Sequence, residues 1–267
     1  MASHIRPAAP SARVPGFLVT VAVVWSVAAL VTPALAGPAK SGSFVGDDIT
    51  YTDVAEATPR FGTPTVSGNS LDFNPVGFSA GSSNGGTDSA IGNLAFGIEV
   101  NKKSSSRIGS ISLSEIGTTT LAGNVPPGSM ATAAAVFTSG VLDIHEVDFK
   151  GINHISVPFS MTFNPSGGTY FLGTDGGGGP LFNTPFSGSA TLPVDAILIA
   201  NGLTPSATKV SIDLSNELHT VSEPLTSAFM SKLDFSVQTT VHTPEPTALS
   251  GLALAALALL QRRQRRT

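Results

Sequence analysis

From Leu94 to Val100 the chain reads LAFGIEV, with apolar Leu94, Phe96, Ile98 and Val100 at every second position. Successive side chains of a β-strand point to opposite faces, so this pattern buries one face as a strand and would scatter around a helix. The same period recurs. KVSIDLS places Val210, Ile212 and Leu214 on one side, and FSMTF does so with Phe159, Met161 and Phe163. FMSKLDFSVQTTV aligns Phe229, Leu233, Phe235, Val237 and Val241, with polar or small residues between them. Turn-forming clusters separate the runs: GSSNGGTD at 81–88, NVPPGS at 124–129, NPSGG at 164–168, TDGGGGP at 174–180 and NGLTPS at 201–206.

The strongest helical rival is the stretch 129–149, whose Ala-rich first half has good helix propensity. Its second half alternates as a strand does, with Leu142, Ile144, Glu146 and Asp148 on one side and Asp143, His145, Val147 and Phe149 on the other. It reads as one long strand. Ten or so strands without an amphipathic helix predict an all-β body: an antiparallel two-sheet β-sandwich, jelly-roll-like, with a barrel as the second architecture. DFNP at 72–75 and TFNP at 162–165 hint at an internal duplication, but four residues are too few to assert one. Charged residues make up 12% of the chain, against about 25% in an average soluble domain. Ser, Thr, Gly and Asn replace them, which suits short turns and hydroxyl-faced strands. There is no cysteine, so neither disulfides nor a thiolate metal site contribute.

The two ends differ from the body. His4, Arg6 and Arg13 precede the apolar stretch Phe17–Val31, and Ala34 and Ala36 supply small residues before Gly37. This is the order of an export signal cleaved before Gly37 by signal peptidase. The expected organisation is a signal peptide at 1–36 with a signal helix, an exported β-domain at 37–242 and a C-terminal segment at 243–267. Between Gly37 and Thr243 there are 8 Lys or Arg and 17 Asp or Glu, a net of −9, and the six other basic residues lie in the two terminal segments. An acidic body lacks the basic footprint of a nucleic-acid binder.

At the other end the apolar run Thr247–Leu260 is 14 residues long. At 1.5 Å per residue it spans about 21 Å, short of the roughly 30 Å hydrocarbon core. Snorkelling by Arg262 and Arg263 would lengthen it. The arginines after it favour the cytoplasmic side, which agrees with export of the body. Pro244-Glu245-Pro246, then TALSGLALAALALL, then QRRQRR with Arg262, Arg263, Arg265 and Arg266 resembles the PEP-CTERM sorting signal of exosortase substrates. The basic cluster departs from the pattern only in being split by Gln264. The resemblance covers about 24 residues and implies a bacterium with a Gram-negative-type envelope. It also implies a membrane-embedded exosortase that reads Pro244–Pro246 and cleaves nearby. The C-terminal helix would be a single transmembrane anchor, holding the protein in the inner membrane before delivery to the cell surface or extracellular polymer. Signal peptidase and exosortase would be the processing partners, and exopolysaccharide a partner at the destination. The signal carries no information about the activity of its cargo.

Within the body, GFSAG at 77–81 matches a nucleophile elbow with Ser79 as nucleophile, but such a serine sits between a strand and a helix, and SSNGGTDS follows here. DIHEVD gathers Asp143, His145, Glu146 and Asp148. By strand parity Asp143 and His145 share a face and Glu146 and Asp148 do not, so a metal would need His154 or His219 from another strand. Asp47, Asp48, Asp88 and Asp175 lie near turns where a structural calcium could bind, without a recognised calcium-loop spacing. No other cofactor is expected. A glycosidase would need two facing carboxylates, and a sugar platform usually needs Trp or Tyr, of which the body has only Tyr51 and Tyr170. The sequence therefore predicts a non-enzymatic surface or matrix protein of structural or adhesive role. A calcium- or glycan-binding module is the second reading and an extracellular hydrolase the third.

Overall fold

The computed structural model describes residues 39–124, 132–175 and 178–243. They form fourteen strands: β1 (Ala39–Val45), β2 (Ile49–Glu56), β3 (Thr65–Ser67), β4 (Ser70–Phe73), β5 (Ser79–Ser83), β6 (Thr87–Val100) and β7 (Arg107–Gly123) come first. Then follow β8 (Ala133–Val147), β9 (Lys150–Ser160), β10 (Thr162–Asn164), β11 (Thr169–Phe171), β12 (Leu181–Leu192), β13 (Ala207–Val221) and β14 (Thr226–His242). One helix, α1 (Val194–Ala200), joins β12 to β13.

Every ladder is antiparallel. One run of pairings is β1-β2-β6-β13-β8-β9, with β11 on the free edge at the start of β8. The other is β3-β4-β14-β7-β12-β10, with β5 beside β4 along the same edge of β14. A single pair, Ala207 with Ile108, links the runs into one nearly closed sheet. Side chains from both runs share one core, in which Phe96, Ile98, Val210 and Ile212 meet Leu71, Leu121, Met230 and Phe235. Tyr51 on β2 reaches across: its hydroxyl donates to Asn69 O (2.8 Å) and lies 3.1 Å from Thr239 Oγ1. Burial raises that phenol to about 12, so it remains a donor at any ordinary pH.

The alternating runs at 94–100 and 210–214 are strands with the expected residues buried, and 133–147 is one long strand. Three expectations need correction. The body does hold a helix: Val194 and Leu198, four residues apart, point into the core, and seven residues are too few for a periodic signal in sequence. Phe159 only packs against the rim of the core, because β9 is an edge strand. The third concerns β14. Lys232 pairs with Gly117 and Asp234 with Ile116, leaving Leu233 as an extra residue in a β-bulge. Phe229 and Leu233 are therefore 45% and 51% exposed, while Phe235 and Val237 are buried. Before the bulge the inward positions are Ala228, Met230 and Lys232.

Among the described residues no helix is long and apolar enough to cross a membrane. The expected signal helix and the apolar run Thr247–Leu260 lie outside the described residues.

Candidate functional site

The bulge places a lysine in the core. Lys232 and Glu115 have fully buried side chains, and Lys232 Nζ lies 2.7 Å from Glu115 Oε2. Glu115 sits on β7 two residues before Gly117, on the same inward face, so the pairing of Gly117 with Lys232 delivers the ammonium to the carboxylate. Asn216 on β13 and Thr138 on β8 come from the opposite run. The Asn216 Nδ2 amide donates to both Glu115 Oε2 and Thr138 Oγ1, and the Thr138 hydroxyl donates to Glu115 Oε2 at 3.1 Å. Three phenyl rings surround the amine: Phe78, Phe61 and Phe235 have centroids 5.0, 5.2 and 5.2 Å from Nζ. Ring faces attract a cation but supply no hydrogen-bond acceptor. Burial pulls the Lys232 amine down to about 8, against the opposing pull of the Glu115 charge and hydrogen bond. Two acceptors in this cluster, Glu115 Oε1 and Asn216 Oδ1, are buried without a hydrogen-bond partner among the described residues.

A second polar group lies on the outer face of the first run. His145 Nε2 and Ser211 Oγ are 2.8 Å apart, Ser156 Oγ donates to Asp143 Oδ1, and Lys209 Nζ bridges to Glu99 at 2.7 Å. His145, Ser211 and Lys209 edge a shallow depression of ≈ 220 Å³ whose walls include Thr52, Asp53 and Asp213. Its floor includes Gly97, where a Cβ would stand 2.5 Å from Thr52 Oγ1. On the outer face of the other run, Ile116, Leu233, Pro165 and Pro185 line an apolar depression of ≈ 510 Å³.

Ser79 begins β5, which continues as a strand paired with β14, so the strand-to-helix context of an elbow is not formed. Strand parity does not run unbroken through 143–148: a register shift at His145 turns both His145 and Glu146 outward and Val147 inward. Asp148 leaves the strand and pairs with Arg107 at 3.0 Å. Among the described residues no three His, Asp or Glu side chains gather as a metal centre requires. The four aspartates do not converge. Asp48 accepts from Ser106, Ser104 and Asn69, Asp88 from Gly81 N and Ser89 N, and Asp175 from Ser166 and Phe171 N. Each of these three carboxylates, Asp48, Asp88 and Asp175, closes its own loop. Pro244, Glu245, Pro246, the four arginines from Arg262 to Arg266, and Ala34, Ala36 and Gly37 lie outside the described residues.

Sequence reasoning missed Glu115, Thr138, Asn216 and Lys232, which come from four strands and share no local motif. The available signal was Lys232 itself, one of only eight basic residues in the body, set in the middle of the alternating run FMSKLDF.

Compared with known protein families and with curated proteins, the sequence gives no match. Three solved structures overlap 74% of the chain. The enzymatically active domain of tailspike protein 4 of bacteriophage CBA120 has a TM-score of 0.19 at 12% identity, and the chain covers 19% of that protein. The family 11 xylanase of Neocallimastix patriciarum has a TM-score of 0.19 at 12% identity over 94% of its length. The xyloglucanase domain of NopAA, a type three effector from Sinorhizobium fredii, has a TM-score of 0.18 at 17% identity over 97% of its length. Overlap at this level assigns neither family nor chemistry to this chain.

Proposed function

We propose that this chain is an exported cell-surface or extracellular-matrix protein of structural or adhesive role. In this reading an exosortase sorts it through Pro244–Pro246, and its body is a jelly-roll-like sandwich made of the two strand runs. The observation that carries the reading is the join between body and tail. β14 is ordered to His242, and the Pro-Glu-Pro motif follows after Thr243, with no linker between. A rigid body then stands directly at the membrane, and the processing enzyme meets the motif at its base. The outer strand rows support presentation to hydrated polymer. Ser114 on β7 pairs with Ser189 on β12 and with Ser236 on β14, Ser112 pairs with Thr191 and Gln238, and the Ser114 and Ser236 hydroxyls lie 2.7 Å apart. The depression around His145, Lys209 and Asp213 favours glycan contact as a second reading, since its walls offer donors and acceptors together.

The test is localisation in a host with an active exosortase. The natural chain is expected outside the inner membrane, and a Glu245→Ala variant is expected to stay in it. Identical distribution of the two proteins would overturn the reading.

A further inference from the structure

The buried cluster brings together three groups that can react: an amine, a carboxamide and a carboxyl. We propose that Lys232 and Asn216 join in an intramolecular amide bond, with Glu115 as the proton carrier. This is independent of the sorting reading, since it depends on the body alone.

The geometry supplies the reagents in order. Glu115 Oε2 touches Lys232 Nζ at 2.7 Å and also accepts from Asn216 Nδ2. The attacking nitrogen and the leaving nitrogen thus share one carboxyl oxygen, the shortest route for moving a proton from the first to the second. Thr138 is a positioning residue, since its hydroxyl holds both the Asn216 amide and Glu115 Oε2. The rings of Phe61, Phe78 and Phe235 keep the amine in apolar surroundings, where a separated ammonium and carboxylate are disfavoured relative to neutral amine and acid. The depressed basicity of Lys232 agrees with this, and a lysine desolvated in this way is an activated nucleophile.

The reaction balances within the chain. A proton passes from Lys232 Nζ to Glu115, leaving a neutral amine and a neutral acid. The Nζ lone pair attacks Asn216 Cγ and forms a tetrahedral centre. Glu115 gives its proton to Nδ2 and takes one from Nζ, the Cγ–Nδ2 bond breaks and ammonia leaves. No oxidant or co-reactant is required, and Glu115 ends protonated. The product also improves the hydrogen bonding. Before reaction Glu115 Oε1 and Asn216 Oδ1 are buried acceptors without donors among the described residues, and afterwards the Glu115 carboxyl has an O–H to give. The bond would tie β13 to β14 and so one strand run to the other, in a body without cysteine for that purpose.

The full chain, expressed and purified, is digested and mapped by tandem mass spectrometry. A peptide containing Asn216 joined to one containing Lys232 is expected, lighter than their sum by one ammonia, about 17 Da. Glu115→Gln and Asn216→Ala are expected to give the two peptides separately and at full mass. The natural chain alone decides the matter even if a variant fails to fold. Separate, unmodified Asn216 and Lys232 peptides overturn the proposal, and so does a Lys232–Glu115 link with loss of water.

Discussion

Gly117 faces the point on β14 where the bulge turns Lys232 into the core, and its replacement by alanine tests that geometry. A Cβ at Gly117 would stand 2.5 Å from Phe186 Cε1 and closer still to Phe186 Cζ and Ser231 O. Phe186 is 2% exposed and packs edge-on against Phe163, with centroids 6.3 Å apart, so its ring has little room to withdraw. Ser231 O belongs to the β14 backbone, so relief on that side must displace a ladder strand. Overpacking of a well-filled core costs about 1–3 kcal/mol, and a clash with both a confined ring and backbone belongs near the upper end. At about 2–4 °C per kcal/mol for a domain of this size, Gly117→Ala should melt roughly 6–12 °C below the natural protein. Gly151→Ala is the control. Among the described residues no atom lies within 4 Å of its added Cβ, so its melting point should stay within about 2 °C. Far-ultraviolet circular dichroism is the appropriate probe, because the only tryptophan is Trp25, outside the body. Melting of Gly117→Ala within about 2 °C of the natural protein would refute the placement of Gly117 against Phe186 and Ser231.

Leu233 and Phe235 should separate sharply despite their equal parity. Leu233→Ser is expected to change stability by no more than about 0.5 kcal/mol, whereas Phe235→Ala should cost about 3–5 kcal/mol, both read from urea midpoints; equal losses would remove the bulge. Asp48 should make its contribution only above acid pH. Hydrogen bonds from Ser106, Asn69 and Ser104 outweigh desolvation and hold its carboxyl below the ordinary range. A folded value below the unfolded one means stability that is present above the unfolded value and lost as pH falls through the folded one. The margin of the natural protein over Asp48→Asn should therefore be full at neutral pH and shrink in strong acid, and a margin that grows on acidification contradicts this.

The all-β character was legible because single strands carry their own evidence. Leu94, Phe96, Ile98 and Val100 declare a buried face without reference to any partner, and so do Val210, Ile212 and Leu214. Bulges were not legible, since they arise from pairing between strands. Parity carried unbroken through Lys232-Leu233-Asp234 exchanges the two faces of half a strand, and the same error at His145 misplaced Glu146 and Val147. Helix α1 escaped notice for its length. The buried cluster was hidden for a different reason: a lone lysine in a polar-spaced run reads as a surface residue. Only the convergence of β7, β8, β13 and β14 gives Lys232 its carboxylate, amide and hydroxyl.

The sorting claim is tested most directly by the C-terminus of the mature protein. The chain is expressed with an active exosortase and recovered from the cell surface or medium, and its last peptide is identified by mass spectrometry. A terminus at or close to Pro244–Pro246 is expected, with Thr247 to Thr267 removed; a recovered chain still ending at Thr267 would overturn the sorting reading.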